Sequence, residues 1–95
     1  MYKINFQTPI HVHFIGIGGI SMSGLAEILL KEGFTVSGSD NKETPLTDHL
    51  AEKGATVFYG QKASNIIEGI DVVVYTAAIH EDNEEFMEVK RRNIP

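Results

Sequence analysis

Cysteine and tryptophan are absent from the 95 residues, and only three prolines occur. The absence of cysteine excludes disulfides, thiolate metal ligands and cysteine nucleophiles, so a metal would need histidine or carboxylate ligands. No apolar run approaches the length that spans a membrane, and residues 1–8 lack the apolar core of a signal peptide. We therefore expect a cytoplasmic protein that does not bind membranes.

Basic residues are also scarce. Eight lysines and arginines stand against 13 acidic residues, a formal net charge of −5, and the only basic cluster is Lys90-Arg91-Arg92. A nucleic-acid-binding protein normally carries a basic surface, so nucleic acid is not an expected partner. The charge of any anionic ligand would have to be met mainly by backbone dipoles near the site.

Short β-branched runs alternate with amphipathic stretches, a pattern typical of parallel sheets built from β-α-β units. The predicted strands cover residues 11–15, 34–37, 55–58 and 71–76, and the valine run of the last one suits a central strand that is covered on both faces. We predict one α/β domain over residues 1–95, a Rossmann-like three-layer sandwich with a mostly parallel sheet in strand order 3-2-1-4. A fifth strand is expected after Pro95, in protein that continues beyond this chain.

Helix signals separate the predicted strands. Apolar residues at helical spacing follow the first strand and end at Gly33, and a second helix begins at Thr44-Pro45 and ends at Gly54. Residues 63–67 are long enough for a short helical turn only. A last helix is predicted over residues 83–92, with acidic residues including Glu85 at its start and basic residues at its end, as the helix dipole favours.

The stretch Gly16-Ile17-Gly18-Gly19 lies between the first predicted strand and the first predicted helix. Gly16 allows a sharp turn, Gly18 allows the backbone to approach a phosphate, and the free N–H groups of the helix start then face the anion. The alternative is a glycine turn that only packs. The third small position of the dinucleotide fingerprint falls at Ser21, and we expect Gly24 to supply the close contact between helix and strand instead.

Two further positions are predicted at the same edge of the sheet. Asp40 follows the second strand, where an acidic side chain commonly binds a ribose, although it could equally cap a turn. Thr76-Ala77-Ala78 ends the fourth strand beside the end of the first, where small residues leave room for a ligand or simply pack tightly.

The histidines show no metal-ligand spacing, so no metal site is predicted. His11 and His13 should point to one face of their strand and pack there, and His80 lies near the presumed ligand edge, where it contacts substrate or solvent. No phosphate loop of the form Gly-x-x-x-x-Gly-Lys-[Ser/Thr] occurs, and no nucleophile with an adjacent base can be assembled. No catalytic residue is therefore predicted.

The segment from His13 to Ala26, with Ser37-Gly38-Ser39-Asp40 and Tyr75-Thr76-Ala77-Ala78-Ile79, resembles the N-terminal domain of the Mur ligase family over essentially the whole chain. Ser21 stands where the family has glycine. The resemblance implies that this domain binds the UDP part of UDP-N-acetylmuramate in a three-domain enzyme of peptidoglycan synthesis. That enzyme would join L-alanine to the muramic acid carboxylate through an acyl phosphate, using ATP and Mg²⁺ on central and C-terminal domains that this chain lacks.

Alone, the chain is expected to be inactive and to hold no cofactor. By position, the resemblance assigns the diphosphate to the backbone N–H groups of Gly18, Gly19 and Ile20, and the uridine to the neighbourhood of Ser39 and Asp40. The full set of predicted substrate-binding residues is Gly16, Gly18, Gly19, Ile20, Ser21, Ser39, Asp40, Thr76, Ala77 and Ala78.

Two other functions fit the same residues. The glycine turn and Asp40 would suit the cofactor half of an NAD-dependent oxidoreductase. A nucleotide-sensing module without chemistry is the other reading, although the missing fifth strand argues against it. The sequence does not indicate an oligomeric state.

Overall fold

The computed structural model describes residues 10–76 and 78–95. Four parallel strands form one sheet in the order β3-β2-β1-β4. The strands are β1 (His11–Ile15), β2 (Thr35–Asp40), β3 (Thr56–Tyr59) and β4 (Val72–Val74). The helices are α1 (Ile20–Lys31), α2 (Pro45–Glu52) and α3 (Glu84–Arg91), with a short 3-10 helix at Ala63–Asn65. The predicted α/β fold and strand order are confirmed.

The two faces of the sheet bury separate cores. Side chains alternate along β1, so Val12 and Phe14 pack with α1 and α2, whereas Ile15 packs on the other face with Phe86 and Val89 of α3. The result is the three-layer arrangement expected from the alternation of strands and helices. Among the described residues, no helix is long and apolar enough to cross a membrane.

The helix ends follow the predicted signals. Gly33 has a φ of +89°, and its N–H and that of Phe34 donate to the carbonyls of Leu30 and Leu29 at 3.1 and 3.0 Å, which closes α1. At the start of α2, the Thr44 hydroxyl accepts from the Thr47 N–H, and the Thr47 hydroxyl accepts from the Thr44 N–H. These ends were predictable because each depends on a few adjacent residues.

The strand boundaries needed correction. The second strand continues to Asp40, which pairs with Tyr59 of β3, so Asp40 ends the strand and does not follow it. The third strand begins one residue later than predicted, at Thr56. The fourth is shorter than predicted, because it pairs with β1 only as far as Phe14↔Val74. It lies at the edge of the described sheet, where the Val73 N–H donates to the Pro95 carbonyl at 2.8 Å.

Candidate functional site

The glycine loop leaves the carboxyl end of β1, an interior strand of the described sheet. Gly16 has a φ of +90°, which favours glycine. The N–H groups of Gly16 and Ile17 both donate to the Ser39 carbonyl, at 2.8 and 2.9 Å. The end of β2 therefore fixes the start of the loop.

Asp40 holds the next residue of the loop. Its Oδ2 accepts from the Gly18 N–H at 2.9 Å, while Oδ1 accepts a longer bond of 3.3 Å from the Lys42 N–H. A Cβ on Gly18 would lie 2.7 Å from Asp40 Oδ2 and 3.1 Å from Thr47 Cγ2. Gly18 is therefore needed for the contact with Asp40, which braces both the loop and the turn after β2.

Helix α1 begins without a side-chain cap. The Gly19 N–H donates to the Gly16 carbonyl at 3.2 Å, and the first helical hydrogen bond runs from the Ser23 N–H to the Gly19 carbonyl at 2.8 Å. In the part of the chain that the structure describes, the N–H groups of Ile20, Ser21 and Met22 have no acceptor. They form the positive end of the helix dipole, and the first turn holds no acidic residue. Such a helix end can bind an anion.

The free donors are not the ones that the family resemblance implied. The N–H groups of Gly18 and Gly19 have internal acceptors, so only Ile20 of the three assigned donors is free in this structure. The Ile20 side chain is 87% exposed, and Gly19 and Ser21 are also exposed. The helix start is thus open to a ligand.

Other predicted site residues differ in their surroundings. The Ser39 hydroxyl is buried and donates to Glu85 Oε2 at 2.9 Å, which gives this side chain a structural role. Thr76 and Ala78 are exposed just beyond β4, where the Ala78 N–H donates to Thr76 Oγ1 at 3.3 Å. Pairing of β4 with β1 places them at the same sheet edge as the glycine loop. Ala77 lies outside the described residues.

The expected role of Gly24 is wrong. It is exposed on α1, and a Cβ built there meets nothing within 4 Å. The close approach is made by Gly38 of β2, where a Cβ would lie 2.7 Å from Cβ and Cδ1 of Ile17 and 2.9 Å from the Phe14 carbonyl oxygen. The tight contact therefore joins the glycine loop to the neighbouring strand.

Comparison with known proteins agrees with this geometry. Residues 11–95 match the model of the Mur ligase family, catalytic domain. The chain belongs to the Mur ligase family. It is 70% identical over its whole length to a UDP-N-acetylmuramate–L-alanine ligase of Agathobacter rectalis, of which it covers 21%. The chain thus spans about a fifth of the length of the curated relatives it matches.

Two solved structures are similar to this Mur ligase chain. The UDP-N-acetylmuramate–alanine ligase of Thermotoga maritima superposes with a TM-score of 0.85 at 35% identity, over 90% of this chain and 20% of that one. The UDP-N-acetylmuramate:L-alanyl-γ-D-glutamyl-meso-diaminopimelate ligase of Neisseria meningitides gives a TM-score of 0.83 at 33% identity, over 93% of this chain and 28% of that one. The Rossmann-like fold is therefore shared with Mur ligases that differ in their amino substrate.

Sequence reasoning missed a buried polar cluster in this Mur ligase chain. Glu85 was assigned only a role at the dipole of α3, but it is 0% exposed, as is His13. Its Oε2 lies 2.6 Å from His13 Nε2, and its Oε1 accepts from Asn65 Nδ2 at 2.8 Å. Glu85 is four residues before the buried Val89, and that helical spacing was the available indication that it faces the sheet.

The two strand histidines share one face, as predicted. His11 Nε2 and His13 Nδ1 both lie 2.7 Å from Ser37 Oγ. Partial burial, and secondarily the neighbouring His13, lower the pKa of His11. Within residues 10–76 and 78–95, no three histidine or carboxylate side chains are grouped so as to hold a metal ion. His80 is exposed after β4, and its carbonyl accepts from the Asn83 N–H at 3.0 Å.

A groove of about 280 Å³ lies between α1 and α2. Its lining residues are Ile20, Ser23, Gly24, Glu27, Leu46, His49 and Leu50. Ile20 is the only predicted site residue among them. The groove is therefore largely separate from the predicted site and meets the start of α1 at Ile20.

Proposed function

We propose that this chain binds the UDP part of UDP-N-acetylmuramate, with the diphosphate at the amino end of α1. The observation that carries the proposal is the set of free N–H groups at Ile20, Ser21 and Met22, which follow a glycine loop on an interior strand. Both similar solved enzymes are ligases of UDP-N-acetylmuramate, although they join it to different amino compounds. A domain common to both is expected to bind the substrate that they share.

The proposed binding needs no basic side chain. The diphosphate oxygens accept hydrogen bonds from the free N–H groups, and the helix dipole supplies the opposing partial charge. Gly16, Gly18 and Gly19 keep the approach open, while Thr76 and Ala78 would border the site from the end of β4. Asp40 Oδ1 has only a long intramolecular contact, so it retains the capacity to accept from a uridine hydroxyl.

We propose that the whole enzyme joins L-alanine to the muramic acid carboxylate, as its 70% identical relative does. ATP and Mg²⁺ belong to the rest of that enzyme. The sequence has no phosphate loop, and the described residues hold no cluster of metal ligands, so the residues present do not fit Mg²⁺-ATP. The central ATPase and C-terminal domains would supply the acyl phosphate chemistry, and the chain alone would be inactive. A cytoplasmic location is part of the proposal, because the reaction consumes ATP.

The proposal is tested by titrating the ¹⁵N-labelled chain with UDP-N-acetylmuramate. We expect shifted amide signals at residues 18–22 and at Asp40. Ile20→Pro removes one of the free N–H groups. The helix should tolerate it, because proline is favoured at the first helical position and Gly19 already has a ψ of 152°, which suits a residue before proline. Losing this one N–H should weaken binding about tenfold or more, since hydrogen bonds to charged groups are strong.

Ile20→Ala is the control, because it removes the exposed side chain and keeps the N–H group. It should bind within about twofold of the parent chain, as most surface substitutions are nearly neutral. Unchanged signals at the start of α1, or equal affinities of the proline and alanine variants, would refute the diphosphate site. Saturable binding of NADH without any response to the UDP-sugar would instead favour the oxidoreductase.

A further inference from the structure

The carboxylate of Glu85 is enclosed by hydrogen-bond donors from three other elements. Oε2 accepts from Ser39 Oγ of β2 at 2.9 Å and lies 2.6 Å from His13 Nε2 of β1, while Oε1 accepts from Asn65 Nδ2 of the 3-10 helix at 2.8 Å. Burial of a carboxylate is costly even when it is fully paired. Apolar residues in place of the whole cluster would simply extend the core around Phe86 and Val89. The cluster therefore calls for a role beyond packing.

Ser39 connects this cluster to the glycine loop. Its hydroxyl binds Glu85, and its carbonyl accepts from the Gly16 and Ile17 N–H groups at 2.8 and 2.9 Å. The next residue, Asp40, accepts from the Gly18 N–H. The position of Ser39 at the carboxyl end of β2 therefore sets the position of the loop that precedes the free N–H groups of α1.

We propose that Glu85 is a positioning residue for the anion-binding loop. It acts through Ser39, and it does not contact the ligand because it is wholly buried. This inference rests on the proposed binding of a UDP-sugar. The contact joins α3, near the end of the chain, to the first loop, so the diphosphate site depends on the opposite layer of the sandwich.

The test compares Glu85→Gln with Glu84→Gln. Both variants lose one negative charge from the first turn of α3, but Glu84 is exposed and, among the described residues, accepts only from the Ala63 N–H, at 2.9 Å. A glutamine at position 85 has one side-chain oxygen where the carboxylate has two, so Ser39 and Asn65 can no longer each donate to an oxygen of their own. Asn65 cannot reverse its amide without losing its 2.7 Å bond to the Gly60 carbonyl. Affinity for UDP-N-acetylmuramate should fall about tenfold in E85Q and less than about twofold in E84Q.

Loop geometry separates positioning from general stability. At a temperature where circular dichroism shows all variants to be folded, E85Q should shift the amide signals of Gly16 and Ile17 and speed their hydrogen exchange. The amides of α2 should not change. Ser39→Ala, which keeps the carbonyl and removes the link, should weaken binding by a similar factor. E85Q and S39A combined should weaken binding by much less than the product of the single effects, because they break the same contact.

The outcomes are distinguishable. If the parent chain does not bind the UDP-sugar, the proposed function fails, while the Gly16 and Ile17 amides of the free variants still report on positioning. If the parent binds and S39A binds equally well with unshifted loop signals, the role of Glu85 is refuted, and this result stands even if E85Q does not fold. Full multiplication of the two single effects would also overturn the proposal.

Discussion

Two glycines near the glycine loop differ in what surrounds their Cα atoms. At Gly38, a Cβ would lie within 3 Å of Ile17 Cβ and of the Phe14 carbonyl oxygen, neither of which belongs to a flexible chain end. We predict that Gly38→Ala lowers the free energy of unfolding by about 1–3 kcal/mol or more, which is the usual cost of overpacking a protein core. The loop should also shift, because Ile17 belongs to it.

Gly24→Ala is the matched control. Position 24 lies inside α1 with open space around it, and alanine is favoured over glycine in a helix by about 1 kcal/mol. This variant should therefore be as stable as the parent or more stable. Urea unfolding of both variants checks the pair of predictions, and a stable Gly38→Ala variant would mean that the contact between β2 and the loop can relax.

On the scale of single elements, α3 carries an ion-pair network that predicts a response to acid. Glu88 Oε2 lies 2.6 Å from Arg91 Nη2 and 2.6 Å from Arg92 Nε. Hydrogen bonds from Arg91 and then Arg92 lower the pKa of Glu88 to about 2. A carboxyl group with a lowered folded pKa stabilises the fold above its unfolded pKa, and that contribution is lost as the pH falls through the folded value.

The predicted window therefore lies between about pH 4.5 and pH 2. Glu88→Gln should flatten the fall in unfolding free energy across that window by the amount of stability that it removes at pH 7, which is small because the arginines are exposed. Denaturant unfolding as a function of pH is the measurement. Glu68→Gln is a suitable control, since Glu68 is exposed and has no ion-pair partner among the described residues. Parallel pH profiles for the parent and Glu88→Gln would contradict the prediction.

Elements whose limits depend on adjacent residues were predictable. The end of α1 before Gly33 and the start of α2 at Thr44 follow from capping chemistry, and β1 has the range that was predicted for it. The limits of β2 and β4 could not be predicted in this way, because they depend on pairing with neighbouring strands. A sequence such as Ser-Gly-Ser-Asp resembles a turn until β3 supplies its hydrogen-bond partners.

Some features of the candidate site were likewise predictable from adjacent residues, and others were not. The glycine loop and Asp40 were identified from their positions next to strands. Which N–H groups stay free could not be predicted, because this depends on acceptors at Ser39 and Asp40 from another strand. The burial of Glu85 depends on His13, 72 residues away. The local pattern therefore indicated the candidate anion site, while tertiary contacts determine which of its N–H groups are free.

On the scale of the whole molecule, charge sets how the proposed site meets its ligand. The chain has a formal net charge of −5, and the charged side chain that holds the glycine loop is the carboxylate of Asp40. UDP-N-acetylmuramate carries a diphosphate and a carboxylate. Long-range electrostatics therefore oppose association, and the attraction comes from short-range hydrogen bonds and the end of α1.

Salt distinguishes this arrangement from a basic anion site. The Debye length is about 10 Å at 0.1 M salt, so added salt screens the repulsion from distant carboxylates more than it weakens hydrogen bonds at contact distance. We predict that affinity for UDP-N-acetylmuramate changes by less than about twofold, or rises, between 50 and 200 mM salt, whereas proteins with many cationic phosphate contacts lose about a thousandfold or more. Calorimetric titration at both salt concentrations measures the affinity. Ile20→Pro should bind more weakly than the parent chain, and by the same factor at each concentration. A tenfold loss of affinity at the higher concentration would show that lysine or arginine side chains hold the diphosphate, and the backbone of α1 would then not be the main source of binding.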